Sequence, residues 1–529
     1  MKKHLLLSSG LFLGSLAVMG QCDTTQINGD LIVSSDIIMS GTYIVSGTFR
    51  VDAGATVFVE SYSTNGCGQI HVEAAKIDVQ GNINADYAGY PGGNPGQGAT
   101  TVNSVTGDQS ALTGCHNKDN AGQITVTGGL AGTAGEGPGA GLAGLNGSVG
   151  SGPKQKCGNT SDDYGMVGGS GGAGGGGGAS YGGLGTDGGK GGNGSGTHSG
   201  NNVSIQSSYA VIAGNGGLGG SAGQTYGTPN GQDIDLGSGG AGAGGGGRSF
   251  YPGENGNRGG NGGGAITLIG TDTLIITGTL SAAGENGLAG GKGANGDKTG
   301  DCCSDGCNDI GEKTFSAGAG GGAGSGAGSG GGILIKAPMY SAITGNLNAN
   351  GGNGGNGGAK GNGITDNYGG NIFCSSQTVT TGAGNDGLAG GSGSGGRIKI
   401  FTTDCAENIL APVVNVNGGT NAEIGSYFAD QDICFVDNTS VENILDENKF
   451  VVFPNPASDY AYIKLLTGAF EKESNLTIYD NSGRLIYSHS IEANGANTIQ
   501  LPIHTFATGS YILVIQNAKG RSSQKLIKY

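Results

Sequence analysis

The cysteines are the side chains in this sequence best suited to covalent chemistry. The 529-residue chain contains ten, and an even number in an exported chain is typical of disulfides. Two groupings are the easiest to propose: Cys405 with Cys434, and Cys374 with one cysteine of the segment 302–307, although spacing alone leaves the connectivity open. The candidate disulfide cysteines are Cys67, Cys115, Cys157, Cys302, Cys303, Cys307, Cys374, Cys405 and Cys434.

Metal binding is the weaker interpretation of the same residues. The segment Cys302-Cys303-Ser304-Asp305-Gly306-Cys307 has no histidine nearby to complete a zinc set, and export favours oxidation of thiols over thiolate ligation. The calcium repeat of β-rolls requires Gly-Gly-x-Gly-x-Asp at nine-residue spacing, which the surroundings of Asp187, Asp297 and Asp386 do not keep. Incidental cations on the acidic loop 301–309 are left as an alternative. We therefore expect neither a resident metal nor a cofactor.

Catalytic constellations are equally hard to nominate. The six histidines are scattered, so no Ser/His/Asp set can be assembled from their spacing. Many G-x-G-x-x-G matches occur, but none follows a buried strand and opens an amphipathic helix, as phosphate binding requires. Glu73, Lys76 and Asp78 alternate along one predicted strand, where solvated outward positions explain them more simply than an active site. The sequence favours a protein that is not an enzyme, with a β-helical polysaccharide-acting enzyme as the last alternative.

Composition narrows the class of protein further. Only 12% of residues are charged, 121 are Gly and none is Trp, so a conventional core of large side chains is not expected in the middle of the chain. The net charge of −15 argues against nucleic acid as a partner, because counterion release needs clustered Lys and Arg.

The N-terminus has the features of an export signal. Lys2 and Lys3 precede an apolar run from Leu5 to Val18, and small residues follow at Gly20. The run is too short to span a bilayer, so we predict a cleaved signal peptide over residues 1–20.

Short β-strand segments recur through the glycine-rich region. If Val203, Ile266, Ile333 and Ile398 are equivalent, the intervals between them are 63, 67 and 65 residues, and Gln69–Ala74 resembles an earlier copy. One such pair of strands cannot bury its apolar face, but stacked copies can. The pattern predicts an all-β fold, a parallel β-solenoid, with residues 21–65 as its N-terminal cap.

Glycine recurs at every third position between these strands, as at Gly284, Gly287, Gly290, Gly293 and Gly296. Three residues per turn is the period of a polyproline-II-type helix, and this chain has too little Pro for collagen. We therefore predict that these segments form layers of laterally packed polyglycine-II helices. This interpretation is favoured above the alternative that they are flexible linkers. The mixture is similar to the glycine-rich extracellular domain of the anaplastic-lymphoma-kinase receptor family, a likeness of architecture that carries no functional residue across.

The last eighty or so residues have the short alternating strands and turns of a small antiparallel β-sandwich. They contain, in order, Phe453-Pro454-Asn455-Pro456-Ala457, Gly483-Arg484-Leu485-Ile486-Tyr487, Thr508-Gly509-Ser510-Tyr511-Ile512 and Lys525-Leu526-Ile527-Lys528-Tyr529. This series closely resembles the C-terminal sorting domain of the type IX secretion system. The residues that the resemblance marks as its sorting-signal motif are Pro454, Asn455, Pro456, Gly483, Gly509, Tyr511, Lys525 and Leu526.

The resemblance implies where the protein goes and which partners it meets. It implies export to the outer-membrane surface of a Gram-negative bacterium or beyond, recognition by the type IX machinery, and removal of the tail by its C-terminal signal peptidase. Attachment to surface lipopolysaccharide and release are both compatible with it. We expect a glycine-rich repeat region at 66–436, a linker at 437–448 and the sorting sandwich at 449–529.

The sequence thus predicts a secreted or cell-surface protein with a structural or adhesive role. A glycan-binding or ice-binding module is the runner-up. Ice binding would need a run of matched small or Thr residues between the glycines. The residues between the glycines instead vary from one unit to the next, with Leu288-Ala289 in one unit and Asn353 and Asn356 in the next.

Overall fold

The chain divides into two compact units, residues 1–434 and residues 435–529. The computed structural model describes residues 22–63, 66–104, 123–153, 163–201, 204–205, 210–298, 314–338, 340–368, 377–402, 409–429, 450–465, 474–480, 484–491, 498–517 and 520–529. We call the described part of the first unit the body and that of the second unit the tail. Both are built from strands, and the described residues contain no helix long and apolar enough to cross a bilayer.

Two parallel sheets run the length of the body. Sheet A contains β1 (Thr24–Ile27), β2 (Leu31–Val33), β4 (Gly41–Val51), β6 (Gln69–Val79), β14 (Ala265–Ile276), β17 (Gly332–Ala337), β18 (Tyr340–Ile343), β22 (Arg397–Thr402), β23 (Ile409–Leu410) and β25 (Ser426–Ala429). Sheet B contains β3 (Ile37–Met39), β5 (Thr56–Val59), β7 (Asn82–Asn84), β15 (Thr279–Ser281), β19 (Asn346–Asn348) and β24 (Val413–Asn415). The five strands before Ser63, β1 to β5, all pair within these two sheets.

The register explains why both sheets hold together. Ile70, Ile266, Ile333 and Ile398 are Cα partners on successive strands of sheet A, and all four side chains are fully buried in one core between the sheets. Burying a side chain of this size contributes about 1.5–3 kcal/mol. The predicted equivalence of Ile266, Ile333 and Ile398 is therefore confirmed.

Val203, which was predicted to precede Ile266 in that series, lies outside the described residues, and another strand occupies the position beside Ile266. The strand that pairs with β14 on the side away from β17 is β6, so the neighbour of Ile266 is Ile70. The residues directly after Val203 form β13 (Ser204–Ile205), which pairs with β11 (Asp163–Val167) in a different sheet. An even interval along the chain does not ensure an equivalent position, because the chain between β7 and β14 leaves both sheets.

Three small sheets lie within the segments that leave the main sheets. One is antiparallel and contains β8 (Val102–Ser104), β9 (Gln123–Val126) and β10 (Gly150–Pro153). The second is parallel and joins β11 and β13 to β16 (Thr314–Ser316). The third is antiparallel and contains β12 (His198–Asn201), β20 (Thr365–Tyr368) and β21 (Gln377–Thr381).

The glycine-rich segments are extended tracts bonded to one another through their backbones. Three buried inner tracts, 168–180, 238–247 and 318–329, are mutually hydrogen-bonded, for example from Ala323 N–H to the Ala173 carbonyl at 2.9 Å. Nine outer tracts surround them, each bonded to the next around the ring. In order around the ring they are 91–98, 128–135, 141–150, 212–221, 185–194, 384–393, 352–361, 284–293 and 253–262. We call these twelve tracts the glycine bundle.

Successive residues of an inner tract donate in three different directions. Gly172 donates to Gly192 at 2.9 Å, Ala173 to Gly245 at 3.0 Å and Gly174 to Leu145 at 2.8 Å. At Gly174 the close backbone approach leaves no room for a side chain, because an added Cβ would overlap the carbonyl oxygen of Leu218. Buried backbone groups are thereby paired without a conventional strand ladder.

The tail consists of two antiparallel sheets around its own core. One contains β26 (Phe450–Phe453), β27 (Tyr460–Leu465) and β30 (Thr498–Pro502). The other contains β28 (Ser474–Asp480), β29 (Leu485–Ile491), β31 (Gly509–Asn517) and β32 (Gly520–Lys528). Phe450, Ile463, Ile478, Leu513 and Leu526 are among the buried residues between them.

Candidate functional site

The segment around Asn455 closes the outer edge of the last strand of the tail. The Asn455 side chain donates from Nδ2 to the Lys525 carbonyl at 2.7 Å and accepts at Oδ1 from Ile527 N–H at 2.8 Å. Two residues on, Ala457 N–H donates to the Ile527 carbonyl at 2.9 Å, and Tyr529 N–H donates to the Ala457 carbonyl at 3.2 Å. The side-chain amide of Asn455 therefore acts as a strand residue would, and we call these four hydrogen bonds the edge clamp.

Prolines on both sides of Asn455 hold it in this position. The Phe453–Pro454 and Asn455–Pro456 peptide bonds are both cis. Proline has no backbone N–H. Pro454 and Pro456 therefore leave no unpaired backbone donor where this short segment crosses between β26 and the edge of β32. The structure thus brings Asn455, which lies between Pro454 and Pro456 of the predicted motif, into contact with the strand that contains Lys525 and Leu526.

The other motif residues take different positions in the tail. Leu526 is fully buried in the core, whereas Lys525 is exposed. Tyr511 is buried, and its hydroxyl donates to the Ala507 carbonyl at 2.7 Å. Gly509 opens β31 with nothing within 4 Å of the place of a Cβ, so packing does not require glycine there. Gly483 lies outside the described residues.

Exposed aromatic side chains cover the outer face of the three-stranded sheet in the tail. Tyr460 and Tyr462 point away from the core, since the intervening Ala461 is buried. Phe453 is the Cα partner of Tyr462, and the two rings stack with centroids 5.8 Å apart and planes inclined by 24°. Sequence analysis missed this face, although the alternation of Tyr460, Ala461, Tyr462 and Ile463 is a two-residue strand pattern that could have indicated it.

The body has a second cluster of functional groups, on the outer face of sheet A. Residues 224–236 form a loop that connects an outer tract to an inner tract, and we call it the strap. Lys399 on β22 is 1% exposed and donates from Nζ to the Asp233 carbonyl at 2.7 Å, with the Asp233 carboxylate 3.3 Å away. The neighbouring Arg397 donates to the Tyr226 carbonyl at 2.8 Å and lies 5.3 Å from the centroid of the Tyr181 ring.

Burial and charge shift the titration of this cluster. The Thr228 hydroxyl, followed by the Lys399 ammonium, lowers the pKa of Asp233 below its usual value. Desolvation raises the pKa of Asp235, to which the Asp233 charge adds, and desolvation lowers the pKa of Lys399. Desolvation also raises the pKa of Tyr181, whose hydroxyl accepts from Asp235 N–H at 2.9 Å. These contacts hold the strap on the sheet.

The acidic residues considered for calcium have another role where the structure describes them. The carboxylate of Asp187 accepts Ala222 N–H at 2.8 Å, and that of Asp386 accepts Lys360 N–H at 2.8 Å. Each carboxylate therefore pairs a backbone donor of an adjacent tract. Within the described ranges, no group of three or more His, Cys, Asp or Glu side chains is placed to hold a metal ion.

One disulfide is present in the described part of the chain, between Cys22 and Cys67, with Cα atoms 5.3 Å apart. Cys67 is one of the predicted disulfide cysteines, whereas Cys22 was left out of that prediction. Cys22 lies directly after the predicted signal peptide, and its pairing with Cys67 depends on the stacking of the first strands on β6. The remaining predicted cysteines lie outside the described residues: Cys115, Cys157, Cys302, Cys303, Cys307, Cys374, Cys405 and Cys434.

Comparisons with known proteins match only part of the chain. A search of curated proteins finds no match. Among solved structures, one similar chain is a DUF3244 family protein with an immunoglobulin-like β-sandwich fold from Bacteroides vulgatus ATCC 8482. That match has 19% identity, a TM-score of 0.14, and covers 16% of this chain and 88% of the other. Residues 451–529 match the family described as the secretion system C-terminal sorting domain, and the tail is therefore a sorting domain of the type IX secretion system.

Proposed function

We propose that this protein is a structural or adhesive component of the bacterial cell surface or its surroundings, without enzymatic activity. The sorting domain supports its export by the type IX system, and the structural role belongs to the body. The observation that carries this proposal is the glycine bundle, in which backbone hydrogen bonds in three directions fill the interior. We infer that a body bonded in this way serves as a scaffold, because it presents an extended and ordered surface.

The architecture that we propose for the body is a parallel β-solenoid combined with polyglycine-II packing. Sheets A and B supply the stacked parallel strands, with Ile266, Ile333 and Ile398 in register. Gly172 and Gly175, three residues apart, both donate to the outer tract 185–194, at Gly192 and Gly189, which supports a helix of three residues per turn.

A repeated row of amide side chains supports an adhesive surface. Asn286 Oδ1 accepts Asn353 N–H at 2.8 Å, and Asn353 Oδ1 accepts Thr420 N–H at 2.8 Å, each across 67 residues of sequence. Asn295 and Asn362 repeat the contact at 2.9 Å. The row is exposed and uncharged, and it presents polar groups at regular intervals to whatever the surface touches.

The same row favours glycans as a second candidate, since amide groups can exchange hydrogen bonds with sugar hydroxyls. Surface lipopolysaccharide is one glycan that the exported body would meet. We further propose that the C-terminal signal peptidase of the secretion system removes the tail after export.

Attachment of a deletion strain tests the proposed role. Cells that lack this protein should attach to abiotic and cell-coated surfaces several-fold less than wild-type cells, and purified body added back should restore attachment. Glycan-array binding of the purified body that depends on Asn286 and Asn353 would favour the glycan alternative, and thermal hysteresis would favour ice binding. Unchanged attachment of the deletion strain in every assay would count against an adhesive role.

A further inference from the structure

The tail presents two kinds of surface to a partner: its strand edges and its sheet faces. Free strand edges are the usual route for adding a partner strand. At the C-terminal end of β32 this route is closed, because the edge clamp pairs the backbone of Lys525, Ile527 and Tyr529 with residues 455–457. A partner that recognises the folded terminus must therefore contact side chains.

The side chains available beside the clamp are aromatic. Phe453 is 44% exposed, Tyr460 47% and Tyr462 37%. The ring of His504 lies 6.3 Å from that of Tyr460 and extends the same face. Contiguous exposed rings on a sheet face are uncommon in monomeric proteins and are typical of interaction surfaces.

This aromatic face is continuous with the motif that defines the sorting domain. Phe453 directly precedes Pro454, and Asn455 binds the strand that ends at Tyr529. The edge clamp thus places the terminal Tyr529 against the segment that follows Phe453. The family match begins at residue 451, so β26 and the aromatic pair that it forms with β27 lie inside the matched segment.

We propose that Phe453, Tyr460 and Tyr462 form the surface through which the folded tail docks on a protein of the type IX export machinery. The inference rests on export through this system. The rings supply apolar area, and the two tyrosine hydroxyls supply hydrogen bonds, which is the composition of interface hot spots.

Export of the full chain tests the docking surface. The triple variant Phe453→Thr, Tyr460→Thr and Tyr462→Thr keeps β-forming residues at exposed positions, so the tail should still fold. We expect the variant to accumulate in the periplasm, with the exported fraction reduced about tenfold or more, as loss of hot-spot residues predicts. The matched control is Asn475→Thr with His489→Thr, two exposed residues of the other sheet that lie outside the segments carrying the sorting-domain resemblance, and it should be exported as wild type.

Two further chains make the result decisive. A chain truncated after residue 449 should not be exported; if it is, the export function itself fails. If the truncated chain is retained while a triple variant with wild-type protease resistance is exported normally, only the docking surface is wrong. Should the triple variant be protease-sensitive, the single variant Tyr460→Glu replaces it, with the same expected retention. The proposal is also wrong if the triple variant is exported normally and the purified wild-type chain forms a dimer that the triple variant does not form. That result would assign the aromatic face to self-association.

Discussion

Asn455 and Gly174 are two residues whose importance comes from the backbone around them more than from side-chain reactivity. Asn455 is exposed, but its amide completes the edge of β32. Gly174 has no side chain and is needed because the neighbouring backbone occupies the place of a Cβ. Both residues matter through main-chain hydrogen bonds, so conservative substitutions separate their roles.

Replacement of Asn455 by Ala should destabilise the tail. The change leaves Ile527 N–H and the Lys525 carbonyl without their side-chain partner, at a cost of about 1–2 kcal/mol for two hydrogen bonds near the surface. Chemical denaturation of the full chain, followed by a probe in the tail, measures the loss. Asn475→Ala, a change at an exposed position of β28, is the control and should be close to neutral.

Replacement of Gly174 by Ala should destabilise the glycine bundle strongly. The added methyl group overlaps the Leu218 carbonyl, and overpacking of this kind costs about 1–3 kcal/mol or more. At Gly196 the nearest atoms to a Cβ are 3.5 Å away, so Gly196→Ala should be neutral or stabilise by about 0.4–1 kcal/mol. Equal thermal melting of the two variants would contradict close backbone packing in the bundle.

At the scale of elements, the strap joins the glycine bundle to the outer face of sheet A. Ile234 packs where Gly332 on β17 has no side chain, and the Lys399 ammonium beneath it bonds Asp233. Packing a loop on a sheet in this way buries two cations that need partners. Its attachment should therefore depend on pH.

The two strap carboxylates should respond to pH in opposite directions. The pKa of Asp233 is lowered in the folded protein, so its stabilisation is present above the unfolded pKa and is lost as pH falls through the folded pKa. Asp233→Asn should therefore lower Tm at pH 7, by on the order of 1 °C for so exposed a group, with no difference near pH 2.

Asp235 supplies the matched control. The pKa of Asp235 is raised in the folded protein, so the ionised carboxylate destabilises the folded state at pH values above the folded pKa. The wild type regains this stability as pH falls from the folded pKa towards the unfolded pKa. Asp235→Asn should raise Tm at neutral pH and converge with wild type in acid. Parallel Tm profiles for the two variants would show that the strap is not held by these charges.

At the scale of the whole molecule, the body and the tail have separate cores. The body cores contain residues between Val33 and Ile400, and every buried residue of the tail core lies between Phe450 and Leu526. Export and the proposed surface role therefore belong to structures that do not share buried side chains.

Protein recovered outside the cell should lack the tail and keep a folded body. We expect its intact mass to correspond to a chain that begins near residue 21 and ends within 437–448, with the same melting temperature for the body as in the full chain. Recovery of the full-length mass from washed cells and medium would contradict removal of the tail.

Much of this organisation could be predicted from the sequence because it depends on local patterns. The motif from Pro454 to Tyr529 identified the sorting domain, and alternating apolar residues located strands such as those containing Ile266 and Ile333. These features need only neighbouring residues or a short period. The sequence by itself thus determined the class of the fold, the export route and the residues that stack.

Tertiary structure alone decided which segments meet across long stretches of chain. The sequence indicated a strand at Gln69–Ala74, but only the structure makes β6 the direct neighbour of β14. The Cys22–Cys67 disulfide and the bonds from Asn455 to β32 likewise join residues far apart in the sequence. Glycine is the physical reason in the body: without side chains, one tract has the same local pattern as another, and only the three-dimensional hydrogen bonding assigns each tract its neighbours.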